Sequence, residues 1–299
     1  MRITPSILSR RLIANINTSS WRLRESLERQ GTGKRITRPS DDPVGVATAL
    51  RLRSDIKITD RFRVNGEHAQ SFLSATETAL DGVTLLLQRT RELAVQGASG
   101  TLTAVDQQAI GKEVEQLLDE MMQLANSSYN GLYIFGGNRT GSIPFTAIGV
   151  PSSGVTYNGD RGNRLVEIAP AENVEINVSG DEVFMTGQNL FGTLIDLRDR
   201  LNVGDGQGVS MTSIANIDAG LDKVLAFRAS GGAKINRLER HGDRLRTNFT
   251  EQTSRLSEVE DADLASTAIE ASLQQVALEA ALAVGARILQ QPSLFNYLV

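Results

Sequence analysis

The chain has no cysteine, which excludes a disulfide framework and thiolate chemistry. Its two histidines, His68 and His241, lie far apart on the outer parts of long helical patterns, so no nucleophile and imidazole are paired for hydrolysis. Neither an H-E-x-x-H run nor acids at ligand spacing occur, and metal catalysis has no evident ligands. No enzyme activity and no cofactor are therefore expected. Nowhere do about 18 apolar residues follow one another, so no membrane span is expected. The first residues lack a signal-peptide run, so cleaved secretion is not expected either. Aromatics make up only 5% of the chain, low for a globular enzyme. Helices that pack through Leu, Ile, Val and Ala need few large rings.

Charge is present but unevenly placed. Residues 1–63 hold 14 Lys or Arg against 6 Asp or Glu, a net of +8, and the remainder holds 17 against 29, a net of −12, which together give the chain's −4. A basic arm fits nucleic acid or an anionic surface. Interleaved with an apolar stripe, as here, it fits better a solvated face matched to acidic helices of the same bundle.

The most regular stretch is Ile214 to Val259. Ile214, Ile217, Leu221, Val224, Arg228, Gly231, Ile235, Leu238, Gly242, Leu245, Phe249, Gln252, Leu256 and Val259 follow one another at alternating steps of three and four. This heptad seam requires partner helices. Upstream, Ile58, Asn65, Phe72, Ala79, Leu86 and Leu93 recur every seven residues. Beside them run the rows Phe62, Ala69, Thr76, Val83, Thr90 and Leu73, Leu80, Leu87, Ala94, enough for two neighbours.

Along the chain, residues 6–30 read as a helix with Leu8, Leu12, Ile16, Leu23 and Leu27 on one face, ended by Gly31 and Gly33. Gly31-Thr32-Gly33-Lys34 lacks the other residues of a phosphate loop. Ser40 or Asp41 can cap a helix over 43–96 with Pro43 in its first turn. Asp41 and Asp42, with no third ligand, read as a cap rather than a metal site. Thr103 to Asp106 resembles a capping box, followed by Ile110, Val114, Leu117, Met121 and Leu124 in an antiparallel return helix. Residues 131–137 read as a strand leaving the bundle. Short β-type runs then follow at 143–147, 154–157, 164–168, 174–178 and 182–185, with Asn158-Gly159 as a hairpin turn. A helix over 190–202 and an exposed Gly-rich loop at 204–208 complete this insertion. After Val259 the register fails, and Thr267 to Glu270 offers a new capping box for a last helix, stopped by Pro292. That helix is apolar on too many sides for a solitary surface helix.

The fold class expected is mainly α with a β-rich insertion, a long antiparallel bundle in which 43–128 packs on 212–260 and the two terminal segments lie side by side. The expected divisions are 1–35 with 265–299, 36–140 with 209–264, and 141–208.

Together these residues resemble the flagellin superfamily of the bacterial flagellum. Arg91-Glu92-Leu93-Ala94-Val95-Gln96 and Glu260-Asp261-Ala262-Asp263 carry the general pattern. Pro39-Ser40-Asp41-Asp42-Pro43, Tyr133 to Thr140 with Pro144-Phe145, and Pro292 to Leu298 resemble its hook-filament junction proteins more than its filament flagellins. The resemblance implies a structural subunit whose terminal helices form a coiled coil on assembly. It implies partners as well: other copies in a helical ring, hook-associated protein 1, flagellin and a flagellar export chaperone, with no nucleic acid and no membrane. The place implied is the extracellular flagellum, reached through type III export. The assembly surface expected is Leu12, Ile16, Leu23, Leu27, Leu273, Leu278, Leu282, Leu289, Leu294 and Leu298. Alternatives are a filament flagellin and, of another class, a cytoplasmic coiled-coil protein whose basic arm binds nucleic acid.

Overall fold

The heptad rows become continuous helices. The structure, a computed structural model, describes residues 5–290, the side chains at 5, 6, 8 and 288–290 excepted. Its helices are α1 (Pro5–Thr32), α2 (Pro43–Gly97), α3 (Ala104–Ala125), α4 (Leu190–Val203), a single turn α5 (Gly206–Gly208), α6 (Ile214–Glu260) and α7 (Leu264–Gln290). They fall into two compact units, residues 1–58 with 248–299 and residues 59–247.

In the unit 59–247, α3 and α6 both run antiparallel to α2. Arg91 meets Asp218 at 2.6 Å, Arg228 meets Glu77 at 2.8 Å, and Gln70 donates to Glu239 at 3.1 Å, fixing the α2–α6 register. Arg89 meets Glu113 across α2 and α3 at 2.7 Å. The rows Phe62 to Thr90 and Leu73 to Ala94 are buried throughout, and every position of the α6 seam is buried or half-buried. The row beginning at Ile58 differs at its start, because Ile58 is exposed and Asn65 turns its amide to the Glu167 carbonyl at 2.9 Å. His241 does not lie on the outer part of its helix. It is buried, donating from Nε2 to the Ile168 carbonyl at 2.6 Å and accepting at Nδ1 from Arg244 at 2.9 Å. A structural tie accounts for it.

Between α3 and α4 the chain forms three two-stranded antiparallel ladders: β1 (Ser128–Tyr129) with β2 (Leu132–Tyr133), ahead of the insertion, then β3 (Phe145–Ile148) with β4 (Gly154–Tyr157) and β5 (Leu165–Ala169) with β6 (Glu172–Glu175) within it. Two expectations are corrected here. The run 182–185 is a wide helical turn, Asp181–Met185, which turns Val183 and Phe184 into the core. Asn158-Gly159 makes no hairpin: the β3–β4 turn lies at 149–153, and the Asn158 N–H donates to the Pro144 carbonyl at 2.7 Å, past the end of β4.

The expected strand 131–137 gives only the short β2 before the chain enters a tight, hydrogen-bonded turn. Gly137 has a left-handed φ of +69°, and a Cβ there would run into the Asp160 carbonyl. The Phe135 carbonyl accepts from Gly180 N–H at 3.0 Å, and the Asp160 carboxylate accepts from the N–H groups of Asn138 at 2.7 Å and Gly162 at 2.8 Å. These backbone donors hold the Asp160 carboxyl below its ordinary value of 3.8. A depressed carboxyl stabilises the fold above its unfolded value, and that stabilisation is lost as pH falls through the folded value. Asp160→Ala is therefore expected to lower the thermal transition at pH 7, with the gap to wild type narrowing at pH 2.5.

Candidate assembly interface

The helices α1 and α7 belong to the unit 1–58 with 248–299 and pack closely on each other. Leu12 lies against Gly285, and Arg22, Ser26 and Arg29 border a cavity with Glu270 and Gln274, so the two helices are antiparallel. Their shared seam is Ser9, Leu12, Ile16, Ser19, Leu23 and Ser26 on α1 and Thr267, Ala271, Gln274, Leu278, Ala281 and Gly285 on α7, all buried or half-buried. Both sets step by three and four. The small residues let the two backbones approach. A Cβ on Gly285 would stand 3.1 Å from Leu12 Cδ2. Gly285→Phe is accordingly expected to wedge the pair apart, an overpacking cost of about 1–3 kcal/mol, read as faster amide exchange along α1.

Among the expected interface leucines, Leu12, Ile16, Leu23 and Leu278 thus face the α1–α7 seam, while Leu27, Leu273 and Leu282 are exposed. Leu289 lies in α7 without a described side chain, and Leu294 and Leu298 fall outside the described residues. At 100° per residue, Ile269, Leu273, Val276, Ala280 and Val284 form a second stripe on the side of α7 opposite the seam. Ile269, Leu273 and Val276 are 63%, 64% and 61% exposed. The outer side of α1 is more mixed, setting Arg10, Asn17, Arg24 and Glu28 beside the exposed Ile7 and Trp21. One helix of the pair keeps a broad apolar face without a described partner.

Where α1 ends and α7 begins, four short segments are tied together. The Arg35 N–H donates to the Glu260 carbonyl at 2.7 Å, and the Ala262 N–H donates to the Gly33 carbonyl at 2.9 Å. The Arg35 guanidinium reaches the Val259 carbonyl at 2.7 Å. The Glu260 carboxylate, buried, is held by Lys34 and Arg53 together. Two cap assignments are corrected. The cap of α2 is Asp42, which accepts from the Gly45 N–H at 2.8 Å, whereas Asp41 closes the preceding turn by accepting from the Arg38 N–H at 2.8 Å. Both carboxyls are held below the ordinary value, chiefly by those backbone donors. The last helix starts at Leu264 rather than near Thr267, because Asp263 accepts from the Ala265 N–H at 3.0 Å and leaves Thr267 inside the first turn.

Among the described residues, seven of the arm's fourteen basic residues pair with acids of this chain. Arg29 meets Glu25 at 2.6 Å, Arg38 meets Glu28 at 3.1 Å and Arg35 meets Asp42 at 3.4 Å. These pairs support a solvated face matched to acids of the same chain over a nucleic-acid surface.

Residues 3–140 match the family described as the bacterial flagellin N-terminal helical region. The chain is 26% identical over 304 residues to flagellar hook-associated protein 3 of Escherichia coli (strain K12), covering 94% of each. It is 28% identical to the flagellar filament 30.7 kDa core protein of Treponema maltophilum, covering 87% of this chain and 86% of that one. In fold it is similar to a putative flagellar hook-associated protein from Vibrio parahaemolyticus, with a TM-score of 0.68, 22% identity, and coverage of 74% of this chain and all of that one.

Proposed function

We propose that the chain is a member of the flagellin superfamily and, within it, the structural subunit joining the flagellar hook to the filament. The observation that carries this reading is the kinship with hook-associated protein 3 over nearly the whole of both chains. The named relatives are structural flagellar proteins, and the role proposed is structural too. Other copies in a helical ring, hook-associated protein 1 on one side and flagellin on the other are the partners in this reading, with an export chaperone before assembly and the extracellular flagellum as destination. Residues 1–35 with 265–299 act as the assembly part, 36–140 with 209–264 as its helical support, and 141–208 as the inserted lobe.

Geometry supports the assembly half of the reading. A face of α7 that is more than half exposed in one chain becomes favourable to bury when copies meet through head-to-tail contacts that repeat along an array. Kinship with a filament core protein favours a second reading, in which the chain builds the filament itself. Electron microscopy separates them. A strain lacking the gene should show hooks without filaments and shed monomeric flagellin, and immunogold against this chain should label the hook tip alone. Label along the whole filament would favour the second reading.

A further inference from the structure

We infer that Glu260 is a positioning residue for assembly, an ionic latch that holds the α1–α7 pair in a fixed attitude to the start of α2 and the end of α6. This rests on the assembly role proposed above.

Three chain segments converge on its carboxylate. Lys34 comes from the connection after α1, Arg53 from the early turns of α2, and Glu260 itself is the last residue of α6. Its side chain is only 7% exposed, while Lys34 and Arg53 are 42% and 46% exposed. Ile36 and Ala49, both buried, line the same groove of about 450 Å³ with Val46, so the Glu260 carboxylate sits on an apolar wall while its two cations reach it from the solvent side. A carboxylate so nearly out of solvent interacts with its cations more strongly than one at a free surface. A buried carboxylate stripped of its cations is correspondingly unfavourable.

The backbone of Glu260 lies in the only path from α6 to α7. Its carbonyl takes the Arg35 N–H, and the next link, Ala262 N–H to the Gly33 carbonyl, closes the joint from the other side. Side chain and main chain of one residue therefore tie the exit of α1 to the entry of α7. The two helices can pair through their own seam without this tie. What the latch adds is direction, and a subunit that presents its outer α7 stripe to a neighbour needs that direction fixed before contact.

The test compares two double variants of the full chain. Lys34→Arg with Arg53→Lys keeps both charges, whereas Lys34→Met with Arg53→Met keeps the length and removes them. Amide exchange at Arg35 and Ala262 is the first readout. The Met pair should speed it tenfold or more while α3 and α4 keep wild-type rates, and the charge-keeping pair should match wild type within twofold. Glu260→Gln should behave as the Met pair does. Equal exchange in the two double variants, or wild-type exchange in Glu260→Gln, overturns the latch, because shape alone would then suffice. Filament growth on a strain lacking the gene is the second readout, with filaments expected for the charge-keeping pair and few or none for the Met pair. Normal filaments with the Met pair overturn the role in assembly. If that strain grows filaments with no chain supplied, the junction reading fails instead, and the exchange measurement still decides the latch.

Discussion

Cells carrying Leu273→Asp with Val276→Asp are expected to make hooks without filaments, while the purified variant keeps its helix content and thermal transition. Both side chains lie on the outer stripe of α7, opposite the seam that meets α1, so the folded chain loses no described contact. Assembly loses much more. Burying an aliphatic side chain is worth roughly 1.5–3 kcal/mol, and placing a carboxylate there adds a desolvation cost. Two sites at about 2 kcal/mol each already amount to nearly a thousandfold in association. Leu278→Asp is the informative contrast, because Leu278 is half-buried on the side of α7 that meets α1. That change should loosen the α1–α7 pair in the monomer and speed amide exchange in both helices. Normal filaments with the outer-stripe variant would remove α7 from the interface.

The contrast between Leu273 and Leu278 shows what the sequence could and could not reveal. Helical periodicity located α2, α3 and α6 within a few residues, and the rows through Phe62 and Leu73 are buried as the spacing requires. Heptad steps are a property of one helix and survive any arrangement of its partners. Which of two apolar arcs on α7 meets α1 is a property of the pair. The α1–α7 seam sets Ser9, Ser19, Ser26, Ala271 and Gly285 between Leu12, Ile16, Leu23 and Leu278, and a search for leucines passes over those small residues. A heptad count extended to small residues would have found it.

In the β-rich insertion the pattern places four short strands within a few residues, but not their pairing or the run at 182–185. Alternation identifies a strand only when one face is buried, and the run at 182–185 buries Val183 and Phe184 on successive residues, as a helical turn does. Glu260 stood in the sequence as one acid among several. Its importance arises from Lys34 and Arg53, which are distant in the chain, and no local spacing links them.

Phe145→Ala is expected to have the largest effect on stability. Phe145 is fully buried, with ring centroids 5.1 Å from Tyr157, 5.2 Å from Phe184 and 5.3 Å from Phe191. Its backbone is held at both polar groups by the Asn126 side chain, at 2.9 Å each. Truncating such a ring costs about 3–5 kcal/mol, since the neighbours close the cavity only in part. In a unit of this size that corresponds to a fall of about 10 °C or more in the thermal transition. The same core runs without interruption from Phe145 and Phe184 through Leu194 to Leu118 and Leu87. Lobe and helices should therefore melt together, and the variant should show one lowered transition for the unit 59–247, seen alike by tyrosine fluorescence and by helical circular dichroism. Two separate transitions, with only the fluorescence one displaced, would mean that the insertion folds on a core of its own.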